Sequence, residues 1–393
     1  MEIFSENNDL RVLVLHNTLS PYRVPLFQAL SKSRGYQFKF LFSSRQIDEH
    51  KWQFGQDLGF NYDILPTKQM RTKQGTLYFL KDMRMLAKQC DLVVLSDHLN
   101  IPELALQSYT SLKRLPKLRW LELTKGSLAD MPKVKIILKA LLNRISDGIL
   151  VPGTAAKEYV LGTTHREDNI YFCNNVVRNE SFAKARAVPQ EQKNALKKKF
   201  RLTGPVIAYF GQFIERKGLR TLMEALELVD RKYQFSLLLV GEGQLKEELL
   251  NKLTKMKRCL FYFAGYIDPS DLSLYYALSD LTVLPSHLDI WGMVVNESIA
   301  AGVPVICSTG VGAARDLIQP GKSGLIFEKG NVRELASALE KMLSSKGFRE
   351  SMVRVADKML ENYTIEKARD QFLDAIDRTY AYAGRFKNEL SDS

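Results

Sequence analysis

The sequence predicts an α/β protein built from two doubly wound parallel sheets in tandem. Three observations carry this. Short apolar runs alternate with stretches of helical pattern, the rhythm of β-α-β units. That rhythm occurs twice, on either side of a polar segment that includes Lys197-Lys-Lys199. The chain has 393 residues, too many for one core, since single cores stop growing near about 250–300 residues.

In the first half, Arg11–His16 is an apolar run bounded by turn residues and reads as a buried parallel strand. A helix is expected from Pro25 through Phe27 and Leu30, with the proline in its first turn. Phe38–Phe42, Asp91–Ser96, Lys117–Leu123 and Gly148–Val151 are further strands, and Pro102–Leu112 is a helix. The second half repeats the scheme. Strands are expected at Pro205–Phe210, Phe235–Val240, Leu260–Ala264, Leu281–Leu284 and Pro304–Cys307. Leu219–Asp230 and Asn296–Ala301 are helical, the latter ending at Gly302. Asn179–Arg201 reads as the crossing between halves, and the tail after Thr364 as an amphipathic helix. The domains are expected over residues 1–185 and 200–374, with a helix of about 375–393 packing back on the first. Two such units put a cleft between two sets of strand C-termini, where ligands bind in open α/β sheets.

Composition narrows the class. At 45% hydrophobic, 25% charged and 10% aromatic residues, disordered, collagen-like and coiled-coil chains are excluded. Four cysteines without a CxxC pair exclude a disulfide scaffold and a cysteine-based zinc module. Cys90, Cys173 and Cys307 lie in or beside apolar runs and read as reduced thiols. No apolar run approaches the roughly 18 residues of a membrane span, and Met1–Leu10 is acidic, unlike a signal peptide. A cytoplasmic location is therefore expected. The net charge of +12 is uneven by sequence halves: residues 1–200 hold 31 basic and 19 acidic residues, and 201–393 hold 25 of each. Nucleic acid, membrane surface and phosphorylated ligand are all anionic partners compatible with that balance.

Three second-half segments carry chemistry. In Tyr209-Phe-Gly211-Gln-Phe-Ile-Glu-Arg216-Lys217-Gly218 a strand ends at a glycine, and two cations precede a second glycine and a helix. Arg216 and Lys217 suit a phosphate clamp; a tight turn with solvated cations is the alternative. In the segment from Asp289 through Trp291, Gly292, Met293 and Val294 to Glu297, two carboxylates stand eight positions apart across a loop-to-helix entry. Glu297 lies in an otherwise largely apolar string and needs a buried partner or a ligand such as a ribose diol. Gly292, Met293 and Val294 make a helix N-terminus suited to phosphate. The third segment, Ser308–Asp316, is a glycine-rich turn that reads equally as structure or ligand contact.

In this order and spacing, residues 205–330 closely resemble the retaining glycosyltransferases of family 4, which have the GT-B fold: two Rossmann-like doubly wound domains facing each other across a cleft. The resemblance extends more loosely over the first half, and Ser20–Phe27 looks like a subset found in bacterial surface-polysaccharide synthesis. It implies that Lys217, with Arg216 beside it, holds the donor pyrophosphate and that Glu297 binds the nucleotide ribose. It implies that Asp289 contacts the donor sugar as the first carboxylate of an E-x7-E pair. Gly211 allows close backbone approach, the backbone of Trp291, Gly292, Met293 and Val294 meets sugar and phosphate, and Tyr266 and Ile267 meet the base. Two positions depart: Asp289 is one methylene shorter than the family glutamate, and Gln212 replaces the usual arginine.

His16–Tyr22 is read as the loop after the first strand, and the family resemblance makes Asn17, Ser20 and Tyr22 acceptor-side candidates. His98, in the polar run Ser96–Asn100 at a strand end, resembles the family's active-site histidine; a surface-loop histidine is the alternative. Glu122 and Lys125 are further acceptor-side candidates. The implied activity is transfer of a sugar from a nucleotide-diphosphate sugar to a glycan or lipid-linked acceptor. No cofactor is implied, and no metal, since the chain contains no Asp-x-Asp. The basic stretch Arg71–Arg144 mixes Lys and Arg with Leu, Ile, Trp120 and Tyr78. That composition suits an anionic membrane surface on the cytoplasmic face, with a solvated basic face as the alternative. Other readings are an epimerase-like relative, a non-catalytic sugar-nucleotide binder and a nucleic-acid binder, the last disfavoured because no recognised module appears.

Overall fold

A computed structural model describes residues 4, 8–44, 57–65, 85, 87–129 and 131–391. Residues 71–84 of the basic stretch, Tyr78 among them, and residues 392–393 of the tail lie outside the described residues. The chain divides into two compact units: Met1–Asn174 together with Ile365–Ser393, and Asn175–Thr364. The segment Asn179–Arg201 falls within the second unit and contains the helices Asn179–Ala183 and Gln190–Lys199.

The first unit holds seven parallel strands: β1 (Leu10–Thr18), β2 (Tyr36–Ser44), β3 (Tyr62–Ile64), β4 (Leu92–Ser96), β5 (Lys117–Trp120), β6 (Gly148–Val151) and β7 (Ile170–Phe172). Their order is β3-β2-β1-β4-β5-β6-β7. In the central pairing Val14 faces Phe40 on one side and Val94 on the other. Val12 to Leu15 are buried because helices cover both faces, so the strand is a continuous apolar run rather than an alternating one. One face packs Leu13, Leu15, Val93, Leu95 and Leu106. The other packs aromatic rings, with Phe27 at 4.7 Å from Phe40 and Trp120 at 5.1 Å from Phe372. Phe372 belongs to the helix Ile365–Ser391, whose Asp377 also accepts from the Tyr36 hydroxyl at 2.7 Å.

The second unit holds six parallel strands: β8 (Val206–Phe210), β9 (Phe235–Val240), β10 (Cys259–Gly265), β11 (Leu281–Leu284), β12 (Val305–Ser308) and β13 (Gly324–Phe327), in the order β10-β9-β8-β11-β12-β13. The helices Leu219–Val229 and Val332–Ser344 bury Leu222, Leu226, Leu335, Leu339 and Met342 against one face of that sheet. Both sheets reverse strand order beside their first strand, between β1 and β4 and between β8 and β11. Those reversals are where open α/β sheets bind ligands, at the strand C-termini.

Two details differ from expectation. β1 runs on to Thr18, which takes His16 and Asn17 into the strand, because pairing with β2 continues through Thr18 and Ser44. Gly324–Phe327 is an edge strand on β12, which was not anticipated from the sequence. The charge also redistributes. The first unit holds 29 basic and 23 acidic residues, the second 27 and 21, so each carries +6. The asymmetry by sequence halves arises because residues 175–200, with seven basic and two acidic side chains, belong to the second unit.

Candidate functional site

In the second unit the loops after β8 and β11 flank the strand-order reversal. The β8 loop opens at Gly211 (φ +142°) and closes at Gly218 (φ +70°). A Cβ on Gly218 would stand 2.0 Å from the Pro285 carbonyl oxygen, and one on Gly241 would stand 1.9 Å from that of Gly211. Only glycine admits these approaches; the first seats the β8 loop on the β11 loop, and the second seats the β9 loop on the β8 loop. Backbone bonds join the two loops: the His287 N–H donates to Arg216 O at 2.9 Å, and Arg216 Nη1 donates to Leu288 O at 2.9 Å.

The seam brings Lys217 Nζ to 2.5 Å from Asp289 Oδ2, each side chain about 15% exposed. Asp289 is fixed in turn by the glycine-rich segment. Its N–H donates to Gly310 O at 2.8 Å, and its carbonyl accepts from Gly312 N at 2.9 Å. A Cβ at Gly312 would meet Ile290 O at 2.0 Å. The third sequence segment is thus the backing of the second, a role its glycines signalled only as a turn.

The chain then passes Trp291 and Gly292 into the helix Val294–Ala301. Trp291 is buried, and its Nε1 donates to Asn296 Oδ1 at 2.8 Å; Asn296 Nδ2 donates to Asn175 O at 3.2 Å. Gly292 has φ +90°, and Met293 precedes the first helical residue, Val294. The helix N-terminus therefore points where the loops converge, a favourable place for negative charge. Glu297 is 2% exposed and accepts from the Tyr276 hydroxyl at 2.6 Å. Tyr276 is itself buried and stacks on Phe210 at 3.9 Å. At the far end Arg186 Nη2 and Nε donate to Ile299 O and Ala300 O at 2.8 and 2.9 Å, and Arg186 pairs with Asp357. Neither Tyr276 nor Arg186 carried any local signal in the sequence. Tyr209, beneath Gly211, donates its hydroxyl to Gln212 O at 2.7 Å; burial, and then the Asp289 charge, push its pKa well above the ordinary phenol range. Tyr266 and Ile267 follow β10, at the end of a neighbouring strand, with Tyr266 exposed.

In the first unit Asn17, Ser20, Tyr22 and His98 stand at the ends of β1 and β4, beside its reversal, while Glu122 and Lys125 follow β5. Ser20 and Tyr22 lie in the turn after β1, where Arg23 N donates to Ser20 O at 2.9 Å. His98 follows β4, half exposed, with Nδ1 3.6 Å from the buried Asp97 carboxylate, which also pairs with Lys139 at 3.3 Å. Glu122 ion-pairs with Arg23, whose guanidinium lies 4.6 Å over the Trp120 ring; burial lowers that arginine to about 10. Lys125 opens an exposed 3₁₀ turn capped by Thr124 and Ser127, and Asn17 stays in β1. His16 is buried among Phe27, Phe42 and Trp120, and burial, followed by the charge of Arg23, lowers its pKa to about 3.

Residues 190–359 match the family model of glycosyl transferases group 1. Among curated relatives, the sulfoquinovosyl transferase SQD2 of Arabidopsis thaliana is 28% identical over 56% of this chain and 42% of its own length. The capsular polysaccharide biosynthesis glycosyltransferase CapM of Staphylococcus aureus is 30% identical over 40% of this chain and 41% of its own. The matches thus span less than half the length of these relatives. Among solved structures, Anabaena HepE in complex with UDP and glucose superposes with a TM-score of 0.76 at 16% identity, covering 94% of this chain and 99% of that one. The architecture is that of the two-domain GT-B fold, as the sequence predicts.

Proposed function

We propose that the chain is a retaining, metal-independent glycosyltransferase that moves a sugar from a nucleotide-diphosphate sugar to a glycan or lipid-linked acceptor in surface polysaccharide or glycolipid synthesis. The observation that carries this reading is the Lys217–Asp289 pair, held between two loops at a topological switch point. The group-1 family match, which spans both loops, and the capsular and lipopolysaccharide relatives support it.

The chemistry follows from charge. As the glycosidic bond breaks, the leaving diphosphate gains negative charge. Lys217, Arg216 and the N-terminus of the helix Val294–Ala301 stabilise that charge electrostatically. Before substrate arrives, Asp289 holds Lys217 in place. Diphosphate takes over the ammonium and frees the Asp289 carboxylate to accept from a sugar hydroxyl. Glu297, kept oriented by Tyr276, is the acceptor for a ribose diol. A front-face departure, in which the diphosphate takes the proton of the attacking acceptor hydroxyl, needs no protein nucleophile and gives retention. His98 is assigned the contact with the donor sugar that the family resemblance gives its active-site histidine, and Asn17, Ser20, Tyr22, Glu122 and Lys125 are assigned to the acceptor side.

A thermal-shift screen of nucleotide sugars tests this, because a ligand that binds the native state raises its melting temperature by mass action. One nucleotide sugar is expected to raise it in wild type and to fail in Lys217→Ala and Glu297→Ala. Conversion of that donor without an added acceptor would instead point to an epimerase-like enzyme.

A further inference from the structure

The edge of the first sheet opposite its candidate residues carries a second feature. Where β5, β6 and β7 begin, a cavity of about 450 Å³ is lined by Arg114, Lys117, Arg144 and Arg166 with a single carboxylate, Asp147, and closed on one side by Tyr382. Lys117 lies 3.4 Å from Asp147, while Arg144 Nε donates to Thr163 O at 2.8 Å and Arg166 Nη2 to the Tyr382 hydroxyl at 2.5 Å. Arg144 is thus braced by an uncharged carbonyl and keeps its charge for the cavity, whereas Arg166 is shared between Tyr382 and Asp168, whose carboxylate lies 3.4 Å from Nε. A volume of this size with convergent cations suits a phosphate ester.

Ile145, which lines the cavity, also ends an exposed apolar helix face. The helix Lys133–Arg144 shows solvent Val134 (77%), Ile137 (68%) and Leu141 (53%), with Ile145 (44%) one turn further on. These positions fall on one helical face. Leu112, 78% exposed at the end of the helix Ile101–Leu112, precedes Lys113 and the cavity-lining Arg114. Lys133, Lys135 and Arg144 are exposed along the same helix. An apolar face bordered by Lys and Arg is the pattern of helices that lie in the plane of a bilayer interface.

We propose that this face docks on an anionic membrane leaflet, with Val134, Ile137, Leu141, Ile145 and Leu112 in the acyl boundary and the Arg114–Arg144 cavity holding the phosphate of an anionic glycerophospholipid. The occupant is chosen by charge complementarity: the exposed apolar face of the helix Lys133–Arg144 lies beside the exposed Lys133, Lys135 and Arg144 and ends at Ile145, which lines the cationic cavity. The inference deepens the lipid-linked acceptor reading by naming the surface that meets the membrane, and its residues are separate from the Lys217–Asp289 site.

Cosedimentation of the full chain with vesicles tests it. Binding is expected to equimolar phosphatidylglycerol and phosphatidylcholine, and at least tenfold weaker binding to phosphatidylcholine alone. Ile137→Glu with Leu141→Glu, at exposed positions that do not threaten folding, should abolish vesicle binding. Arg114→Gln with Arg144→Gln should weaken it about 25-fold, near fivefold per cation, whereas Lys255→Gln with Lys346→Gln in the second unit should change it little. Equal binding to both vesicle types, or binding unmoved by either site pair, overturns the proposal. So does self-association in solution that Ile137→Glu with Leu141→Glu abolishes while no vesicle binding is found, which would assign the face to a second copy. The melting-temperature rise given by a nucleoside diphosphate should be the same in all these variants; its absence in wild type would count against the donor site and leave the membrane result intact.

Discussion

Lys217, Asp289 and Glu297 differ in what each removal should do. Lys217→Ala deletes the cation and leaves Asp289 facing the diphosphate, so the loss of turnover should reach about 10²–10³-fold, the range for a group that stabilises developing charge. Asp289→Asn does the opposite to binding. It releases Lys217 from its 2.5 Å partner, so nucleoside diphosphate should bind as tightly or more tightly while kcat falls; steady-state kinetics beside calorimetry separates the two. Tyr276→Phe removes the hydroxyl bonded to Glu297 at 2.6 Å. A hydrogen bond to a charged group contributes about 1.5–3 kcal/mol, so donor KM should rise about tenfold or more with kcat little changed. An unchanged KM would separate Tyr276 from the site. His16 gives a pH prediction. Its unfolded imidazole titrates near 6.5 and the folded one at about 3. Between those values the unfolded chain binds the extra proton, so stability falls as pH drops from about 6.5 toward 3. Denaturation midpoints at pH 7 and pH 5 should differ more in wild type than in His16→Phe; equal differences contradict the assignment.

At the scale of elements, the legible parts of the sequence were those whose cause is local. β9 and β11 match their expected ranges because strands buried on both faces are continuous apolar runs. β3 and β7 are three residues each, Tyr62-Asp-Ile and Ile170-Tyr-Phe, too short to carry a pattern and defined only by pairing with β2 and β6. The donor-site candidates were visible because glycines, cations and carboxylates recur at fixed spacing around strand ends. Their supports were not. Tyr276 reaches Glu297 across 21 positions and Arg186 reaches Ile299 across 113, contacts made by tertiary packing alone. Arg186→Ala tests that support: it removes the side-chain donor to Ile299 O and Ala300 O, leaving Ile299 O only its bond from Gly302 N. The melting temperature should fall by a few degrees and donor KM should rise. Gly218→Ala should be far more damaging than Gly347→Ala, since a Cβ meets Pro285 O at 2.0 Å in one case and open space in the other.

For the whole molecule, the charge is shared between the folded units. Divided by sequence halves, the excess of +12 seemed to belong to one end of the chain; divided by folded units it is shared, +6 each. Net charge therefore does not tell the units apart. The local arrangement does: one sheet reversal carries Arg216 and Lys217, proposed above as an anion clamp, and the far edge of the other sheet carries a cationic cavity at the end of an exposed apolar helix face. If the β8–β11 seam holds a diphosphate, as we propose, Lys217 is its principal cation. Calorimetric titration of nucleoside diphosphate into wild type and Lys217→Ala tests it most directly. Binding weakened by about 10–100-fold in the variant, at unchanged melting temperature without ligand, is the predicted result. Equal affinity in the two proteins would place the diphosphate elsewhere and contradict the account.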